Sequence, residues 1–177
     1  MILAVDSSAL ALLVNPAASP PDDPSTGRPV DRARERVEHF IADLAASDTM
    51  IIPTPVLAEA LVRAEDGGPG LLAAVAGLAR LKVRPFGQRA AIETAQMTRE
   101  AVAAGDKKGG SVQAWQKVKV DRQVIAIARV EGATRIYADD RGLISFAKRL
   151  GMDVVSTWDL PYPPPQQQQL FQDEGQL

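Results

Sequence analysis

The chain has 177 residues, of which 46% are hydrophobic and 24% charged, and its formal net charge is −2. This length predicts one globular domain with a substantial core, and the composition excludes a wholly disordered chain. Because the chain has no cysteine and a single histidine, His39, it can form neither a disulfide framework nor a thiolate zinc site, and a Ser-His-Asp triad is disfavoured.

Short apolar runs alternate with amphipathic helical patterns along the chain. The runs predict strands over 2–5, 50–52, 82–86, 134–138 and 153–156. The patterns predict helices over 9–14, 31–46, 54–64, 71–81, 89–104, 121–131 and 140–150. Such alternation indicates right-handed crossovers, and therefore an α/β fold with a five-stranded parallel sheet between two helical layers.

Helix boundaries follow from capping residues and glycines. Ser7 or Ser8 is the expected cap of the first helix, and Thr54 is the expected cap of the third, with Pro55 at its first position. Gly132 and Gly151 are expected to end the last two helices.

Two segments lack the pattern of regular structure. Residues 15–31 contain five prolines and predict an irregular loop, while 161–177 is rich in proline and glutamine and predicts a disordered tail. We therefore place the domain at 1–160. The N-terminus shows no basic leader and no apolar stretch of membrane-spanning length, so we expect a cytoplasmic protein without a membrane partner.

Four acidic residues occupy related positions in this pattern. Asp6 and Asp140 follow predicted strands, whereas Glu59 and Asp121 lie near predicted helix starts. In parallel sheets, ligands bind outside the carboxyl ends of the strands, so all four could converge at one edge. Asp121 also shares its helical stripe with Val124 and Ile125, which predicts a carboxylate that faces the core.

A single acid near a helix start is adequately explained by the helix dipole, which contributes about 0.3–1 kcal/mol. Four acids in one cleft would repel each other unless a divalent cation intervened. Mg²⁺ suits carboxylate oxygens, and water bound to a metal can attack a phosphodiester without a histidine base. The acids therefore predict a metal-dependent hydrolytic site.

At these residues the sequence resembles the PIN-domain nucleases, and within them the VapC-type toxins of bacterial toxin–antitoxin pairs. The matching segments occur in the family's order and are 5–10 (VDSSAL), 52–60 (IPTPVLAEA), 121–128 (DRQVIAIA), 137–143 (YADDRGL) and 153–157 (DVVST). The resemblance implies a PIN-like three-layer sandwich.

The resemblance also implies a ribonuclease that uses Mg²⁺ or Mn²⁺ held by Asp6, Glu59, Asp121 and Asp140. Family members often show Thr-x-Asp-x-Asp at the fourth site, where this chain has Ala138-Asp139-Asp140-Arg141-Gly142. Either Asp139 or Asp140 is therefore a candidate for the fourth ligand. A cognate antitoxin and a homodimer are further implications of the resemblance.

A basic stretch provides a candidate surface for RNA. Residues 80–149 contain 15 Lys or Arg against 7 Asp or Glu, and the region before Asp121 is especially basic. Lysines can bind phosphates and a tryptophan can stack on an unpaired base, although a solvated connection with a half-buried tryptophan explains the sequence equally well. The candidate RNA-binding residues are Lys107, Lys108, Trp115, Lys117, Lys119 and Arg122.

Two other functions fit the same acids. A receiver-type signalling module also gathers acids around Mg²⁺ at a sheet edge, but it uses one of them as a phosphoacceptor. A catalytically silent PIN-like domain that binds RNA or protein is the second alternative. A stable aspartyl phosphate formed during incubation with a small phosphodonor would support the receiver module. Cleavage of RNA would support a nuclease over the catalytically silent domain.

Overall fold

A five-stranded parallel sheet lies at the centre of the computed structural model, which describes residues 1–15 and 17–164. Its strands lie close to the predicted ones; β1 and β4 are mostly apolar runs, whereas β5, β6 and β7 include charged residues. They are β1 (Ile2–Val5), β4 (Thr49–Pro53), β5 (Leu81–Arg84), β6 (Arg135–Tyr137) and β7 (Asp153–Val155), while β2 (Asp22–Asp23) and β3 (Arg28–Pro29) form a separate small hairpin.

Seven α-helices in the described residues connect these strands. They are α1 (Ser7–Val14), α2 (Ala33–Asp43), α3 (Thr54–Ala64), α4 (Gly68–Gly77), α5 (Gln88–Ala103), α6 (Trp115–Val130) and α7 (Arg141–Arg149), with 3₁₀ turns at Glu65–Gly67 and Thr157–Asp159. The architecture is the predicted α/β sandwich. No helix in the described part is long and apolar enough to cross a membrane.

The strand order of the sheet is β5-β4-β1-β6-β7. If its strands are numbered by their order in the chain, this is 3-2-1-4-5, whereas receiver modules have the order 2-1-3-4-5. The receiver alternative is therefore wrong. The chain reverses direction across the sheet between β1 and β6, and in such folds ligands bind in the crevice at this switch point.

The central strands and α6 form the hydrophobic core. All five residues from Val124 to Ala128 are buried, as expected for a helix that is apolar on every side. Gly132 and Gly151 follow α6 and α7 with φ of 78° and 74°, a conformation that glycine adopts without strain. The predicted ends of these two helices are therefore confirmed.

The predicted start of α6 is wrong. The pattern of the sequence predicts a start at Asp121, but the helix begins at Trp115, which puts Asp121 in its second turn. Basic residues interrupt the apolar pattern of this segment, so its helical character is not visible in the sequence. In the structure Val118 is buried, and the guanidinium of Arg122 packs against Trp115, 5.4 Å from the ring centroid. Long charged side chains can cover apolar surface in this way.

Smaller differences occur at other boundaries. Asp6 caps α1 in place of the predicted Ser7 or Ser8, and Thr54 lies inside α3, where its Oγ1 accepts a hydrogen bond from the Phe86 backbone N–H. The predicted helix over 71–81 ends at Gly77, because Leu81 already pairs with Met50 in the sheet. The β2–β3 hairpin lies within the loop that was predicted to be irregular.

The C-terminal tail is only partly within the described residues. Residues 161–164 are described, and Tyr162 lies under the guanidinium of Arg36, with 3.8 Å between Cζ and the ring centroid. The remainder of the predicted disordered tail, 165–177, lies outside the described residues, so the division at residue 160 stays a prediction.

Candidate functional site

Four carboxylates from four separate segments line one cavity of about 140 Å³ at the switch point of the sheet. Asp6 directly follows β1, Asp140 precedes α7, and Glu59 and Asp121 project from α3 and α6. The four predicted acids therefore line one cavity, and their role as a metal site stays a prediction. A larger open groove of about 590 Å³ runs along α5, but the described residues that line it all belong to that helix and include one acid, Glu100.

Asp6 joins the ends of two adjacent strands. Its Oδ1 accepts a hydrogen bond from the backbone N–H of Ala9 at 2.7 Å, and its Oδ2 accepts from those of Asp139 and Asp140 at 3.0 and 3.3 Å. The residue is 3% exposed. Burial raises the pKa of Asp6 to about 7, although these hydrogen bonds oppose the shift.

Asp140 is the second capping acid in the cavity. Its Oδ1 accepts from the Leu143 backbone N–H at 2.8 Å, so the carboxylate is fixed at the start of α7. The helix dipole thus explains part of the placement of Asp6 and Asp140.

Asp121 and Glu59 lie beyond the first turn of their helices, where the dipole is no longer an adequate explanation. Asp121 is 4% exposed, and burial raises its pKa despite the neighbouring ammonium of Lys117. Glu59 lies at the exposed rim and pairs with Arg63 at 2.6 Å. Asp121 therefore has the stronger need for a compensating cation.

Lys117 supplies a positive charge inside the acid cavity. Its Nζ lies 2.7 Å from Asp121 Oδ1 and 3.6 Å from Asp140 Oδ2. Burial lowers the pKa of Lys117, but the hydrogen bond and charge of Asp121, with the charges of Asp140 and Glu59, raise it above its ordinary value overall. The spacing of four residues between Lys117 and Asp121 was the available sequence signal for this contact.

Asp139 faces away from the cavity. Its Oδ1 accepts from the Thr157 backbone N–H at 2.8 Å, and its Oδ2 accepts from the Thr157 hydroxyl at 2.7 Å. The same hydroxyl lies 2.7 Å from the Tyr137 hydroxyl. The structure therefore favours Asp140 over Asp139 as the fourth acid of the cavity.

The candidate RNA-binding residues do not form one strip. Arg122 is 2% exposed and donates to Thr98 Oγ1 at 3.2 Å and to the Lys107 carbonyl at 2.6 Å, so its predicted RNA contact is corrected to a structural role. Trp115 is half-buried. Since Lys117 lies in the cavity, the exposed or half-buried lysines that remain candidates are Lys107, Lys108 and Lys119.

The side chains of the cavity are of the type that binds a divalent cation, but they are not positioned as a formed metal site. Carboxylate oxygens are the ligands that Mg²⁺ and Mn²⁺ prefer, and the buried acids Asp6 and Asp121 have raised pKa values. However, no group of three or more His, Cys, Asp or Glu side chains within 1–15 and 17–164 is positioned to hold a metal ion. The ammonium of Lys117 is the cation that lies between two of the acids.

Comparison with solved structures identifies the fold. A chain of the VapBC2 complex of Rickettsia felis, bound to a promoter DNA fragment, matches with a TM-score of 0.56 and 14% identity over 88% of this chain and 98% of that one. The Mycobacterium tuberculosis toxin VapC20, which cleaves the sarcin-ricin loop, matches with a TM-score of 0.51 and 18% identity over 81% and 94%. This chain has the fold of the VapC-type PIN domains.

Other comparisons agree with this level of similarity. A chain of the DNA-bound VapBC complex of Salmonella typhimurium matches with a TM-score of 0.52 and 20% identity over 89% of this chain and 98% of that one. No family model matches the sequence, and no curated protein matches it. Similarity to the VapC-type PIN domains is therefore established for the fold, and the activity has to be argued from the site.

Proposed function

We propose that the chain is a metal-dependent endoribonuclease and the toxin of a toxin–antitoxin pair. The observation that supports this proposal most strongly is the cavity, in which Asp6, Glu59, Asp121 and Asp140 come together at the switch point of a VapC-like sheet. Helix capping accounts for part of the placement of Asp6 and Asp140, but it does not account for Asp121 and Glu59, and the mutual repulsion of four carboxylates is unfavourable unless a cation compensates it.

The four acids would hold Mg²⁺ or Mn²⁺ directly or through water. When bound, the divalent cation would supply an activated water for attack on the phosphodiester and would compensate charge on the phosphate. Asp6 and Asp140 are held in place by backbone N–H groups, so their oxygens are oriented before a ligand arrives. Asp121 projects from the buried helix α6, which fixes its position relative to both.

The substrate and partners follow from charge and from the matched structures. The excess of basic residues in 80–149 favours a polyanion, and one matched protein is a toxin that cleaves the sarcin-ricin loop. Two others are VapBC complexes, so we include a cognate antitoxin in the proposal. A homodimer is included only because the sequence resembles the VapC-type toxins.

Purified protein provides the test of this function. RNA should be cleaved when Mg²⁺ or Mn²⁺ is present and should remain intact in EDTA. An Asp6→Asn variant, purified in the same way, controls for contaminating nucleases and should be inactive. Cleavage that persists in EDTA, or that is equal in the variant, would contradict the proposal.

A catalytically silent RNA-binding domain is the second candidate. The ion pair of Lys117 with Asp121 favours it, because the ammonium already compensates the charge of Asp121 and lies near Asp140. In that case the protein would retain RNA on a filter at every divalent cation concentration without cleaving it.

A further inference from the structure

One side chain of the acid cavity has no place in the proposed cleavage reaction. The ammonium of Lys117 lies between Asp121 of α6 and Asp140 at the start of α7, two acids that belong to different elements. The side chain of Lys117 is 35% exposed, whereas those of Asp121 and Asp140 are 6% and 29% exposed. The lysine therefore reaches from the surface into the cavity.

Helix propensity alone does not explain this contact. Pairs spaced by four residues stabilise a helix best when the acid precedes the base, and here Lys117 precedes Asp121. The ammonium also approaches Asp140, which lies on another element. An unpaired buried carboxylate is unfavourable, so compensation of Asp121 accounts better for the placement of Lys117.

We propose that Lys117 is a built-in counter-ion that a divalent cation must displace, and that it thereby sets the metal affinity of the cavity. This inference rests on the proposed function, because it assumes that the acids hold a metal. Lys117 Nζ hydrogen-bonds to Asp121 Oδ1 and lies 3.6 Å from Asp140 Oδ2, and these two acids are among those that would hold the metal. The flexible stem of lysine allows the ammonium to leave toward solvent.

Displacement is also consistent with the arrangement of the acids. The described residues contain no preformed group of three metal ligands, and the Asp121 carboxylate is paired with the ammonium of Lys117, while Asp140 is held by the Leu143 backbone N–H. Below a threshold metal concentration the ammonium of the chain itself compensates these acids. Above that threshold the acids can rearrange around the metal.

Substitution of Lys117 tests this competition, with Lys119 as the matched control. Lys117→Gln and Lys119→Gln each remove one positive charge from α6, but Lys119 is exposed and its Nζ lies 6.0 Å from the Trp115 ring rather than between acids. Calorimetric titration with Mn²⁺ should show at least about fivefold tighter binding for Lys117→Gln, the lower end of typical coupling between two sites. Lys119→Gln should bind Mn²⁺ with the affinity of the wild type. Lys117→Arg keeps the positive charge and should therefore bind Mn²⁺ more weakly than Lys117→Gln.

A second test uses only the wild-type protein, so a folding defect in a variant cannot affect it. Mass spectrometry can follow the modification of each lysine by an amine-reactive reagent with and without Mg²⁺. Lys117 should react faster when Mg²⁺ is added, and Lys119 should react at the same rate in both conditions. Equal rates for Lys117 at saturating Mg²⁺ would overturn the inference.

The outcomes separate this inference from the proposed function. If the wild type and Lys117→Gln both fail to bind Mn²⁺, the metal site and the inference fall together. If the wild type binds Mn²⁺ but Lys117→Gln binds no more tightly, only the inference is overturned. Loss of RNA cleavage in Lys117→Gln with unchanged Mn²⁺ affinity would likewise overturn it, because Lys117 would then act on RNA.

Discussion

Asp121 and Arg122 are consecutive buried residues of α6, but their charged groups have different surroundings and partners. Asp121 faces the acid cavity and pairs with the ammonium of Lys117. Arg122 lies against Trp115, has no ion pair with any described residue, and donates to a hydroxyl and a backbone carbonyl. One helix thus buries an anion beside a cation and, next to it, a cation among neutral acceptors.

This difference separates a buried charge that lines a cavity from one that serves packing. Asp121 faces a cavity with other acids around it, which is why we propose it as a metal ligand. Arg122 instead anchors the Lys107 carbonyl to α6 and reaches Thr98 of α5, which fixes the connection between the two helices. The sequence shows that one of these residues is acidic and the other basic, but this does not tell which one lines the cavity and which one has a structural role.

The largest expected effect is on catalysis. Asp121→Asn keeps the size of the side chain but removes the negative charge that the proposed metal needs. RNA cleavage should fall at least about a hundredfold, the scale observed when a preorganised electrostatic group is lost. Single-turnover cleavage rates of folded protein measure this effect. Activity within a few-fold of wild type would place the reactive centre elsewhere.

Substitution of Arg122 should affect stability rather than RNA. Arg122→Met keeps an unbranched stem but leaves the Lys107 carbonyl and Thr98 Oγ1 without their donor. Denaturant titration should show a loss of roughly 2–4 kcal/mol in the free energy of unfolding. If Arg122→Met has unchanged stability but binds RNA more weakly, Arg122 contacts RNA as the sequence predicted, and its structural role is wrong.

The buried carboxyl of Asp6 predicts a pH-dependent stability in EDTA. Its pKa is about 7 in the folded protein, against an ordinary value of 3.8, so the folded state holds a proton that the unfolded state has lost between these pH values. The free energy of unfolding therefore decreases as pH rises from about 4 to 7. Relative to Asp6→Asn, the wild type should lose roughly 2 kcal/mol between about pH 5 and pH 8. A constant difference between the two proteins would contradict the raised pKa.

The smallest expected effect concerns the remaining basic surface. Lys107, Lys108 and Lys119 can be changed to glutamate in the Asp121→Asn background, with Lys117 left intact because it belongs to the cavity. RNA affinity should weaken, and the slope of log affinity against log salt should become shallower by about 0.7 for each phosphate that the protein no longer neutralises. Fluorescence anisotropy at several salt concentrations measures both quantities. An unchanged slope would exclude this surface from RNA binding.

The sheet and the convergence of the acids could be predicted from the sequence. Short apolar runs indicate parallel strands, and acids at the carboxyl ends of such strands lie at one edge of the sheet; that β1 and β6 are neighbours was not predicted and comes from the structure. The spacing of Asp121 with Val124 and Ile125 correctly placed its carboxylate toward the interior. These inferences succeed because they depend on the backbone and on helical periodicity.

The positions of Lys117, Arg122 and Asp139 could not be predicted in the same way. The pair of Lys117 with Asp121 has a local spacing signal, but the approach of Lys117 to Asp140 and the contact of Asp139 with Thr157 depend on partners that are distant in the chain. The basic composition before Asp121 fitted a solvated connection equally well and thereby concealed the start of α6. Sequence patterns predict faces of elements, but contacts between side chains require the packed structure.

A crystal grown with Mn²⁺ would test the central claim most directly, because the anomalous signal locates the metal independently of activity. We predict one strong anomalous peak among the carboxylates of Asp6, Asp121 and Asp140, with the ammonium of Lys117 moved away from Asp121. An acid cavity without a peak, with the ion pair of Lys117 and Asp121 intact at saturating Mn²⁺, would contradict it.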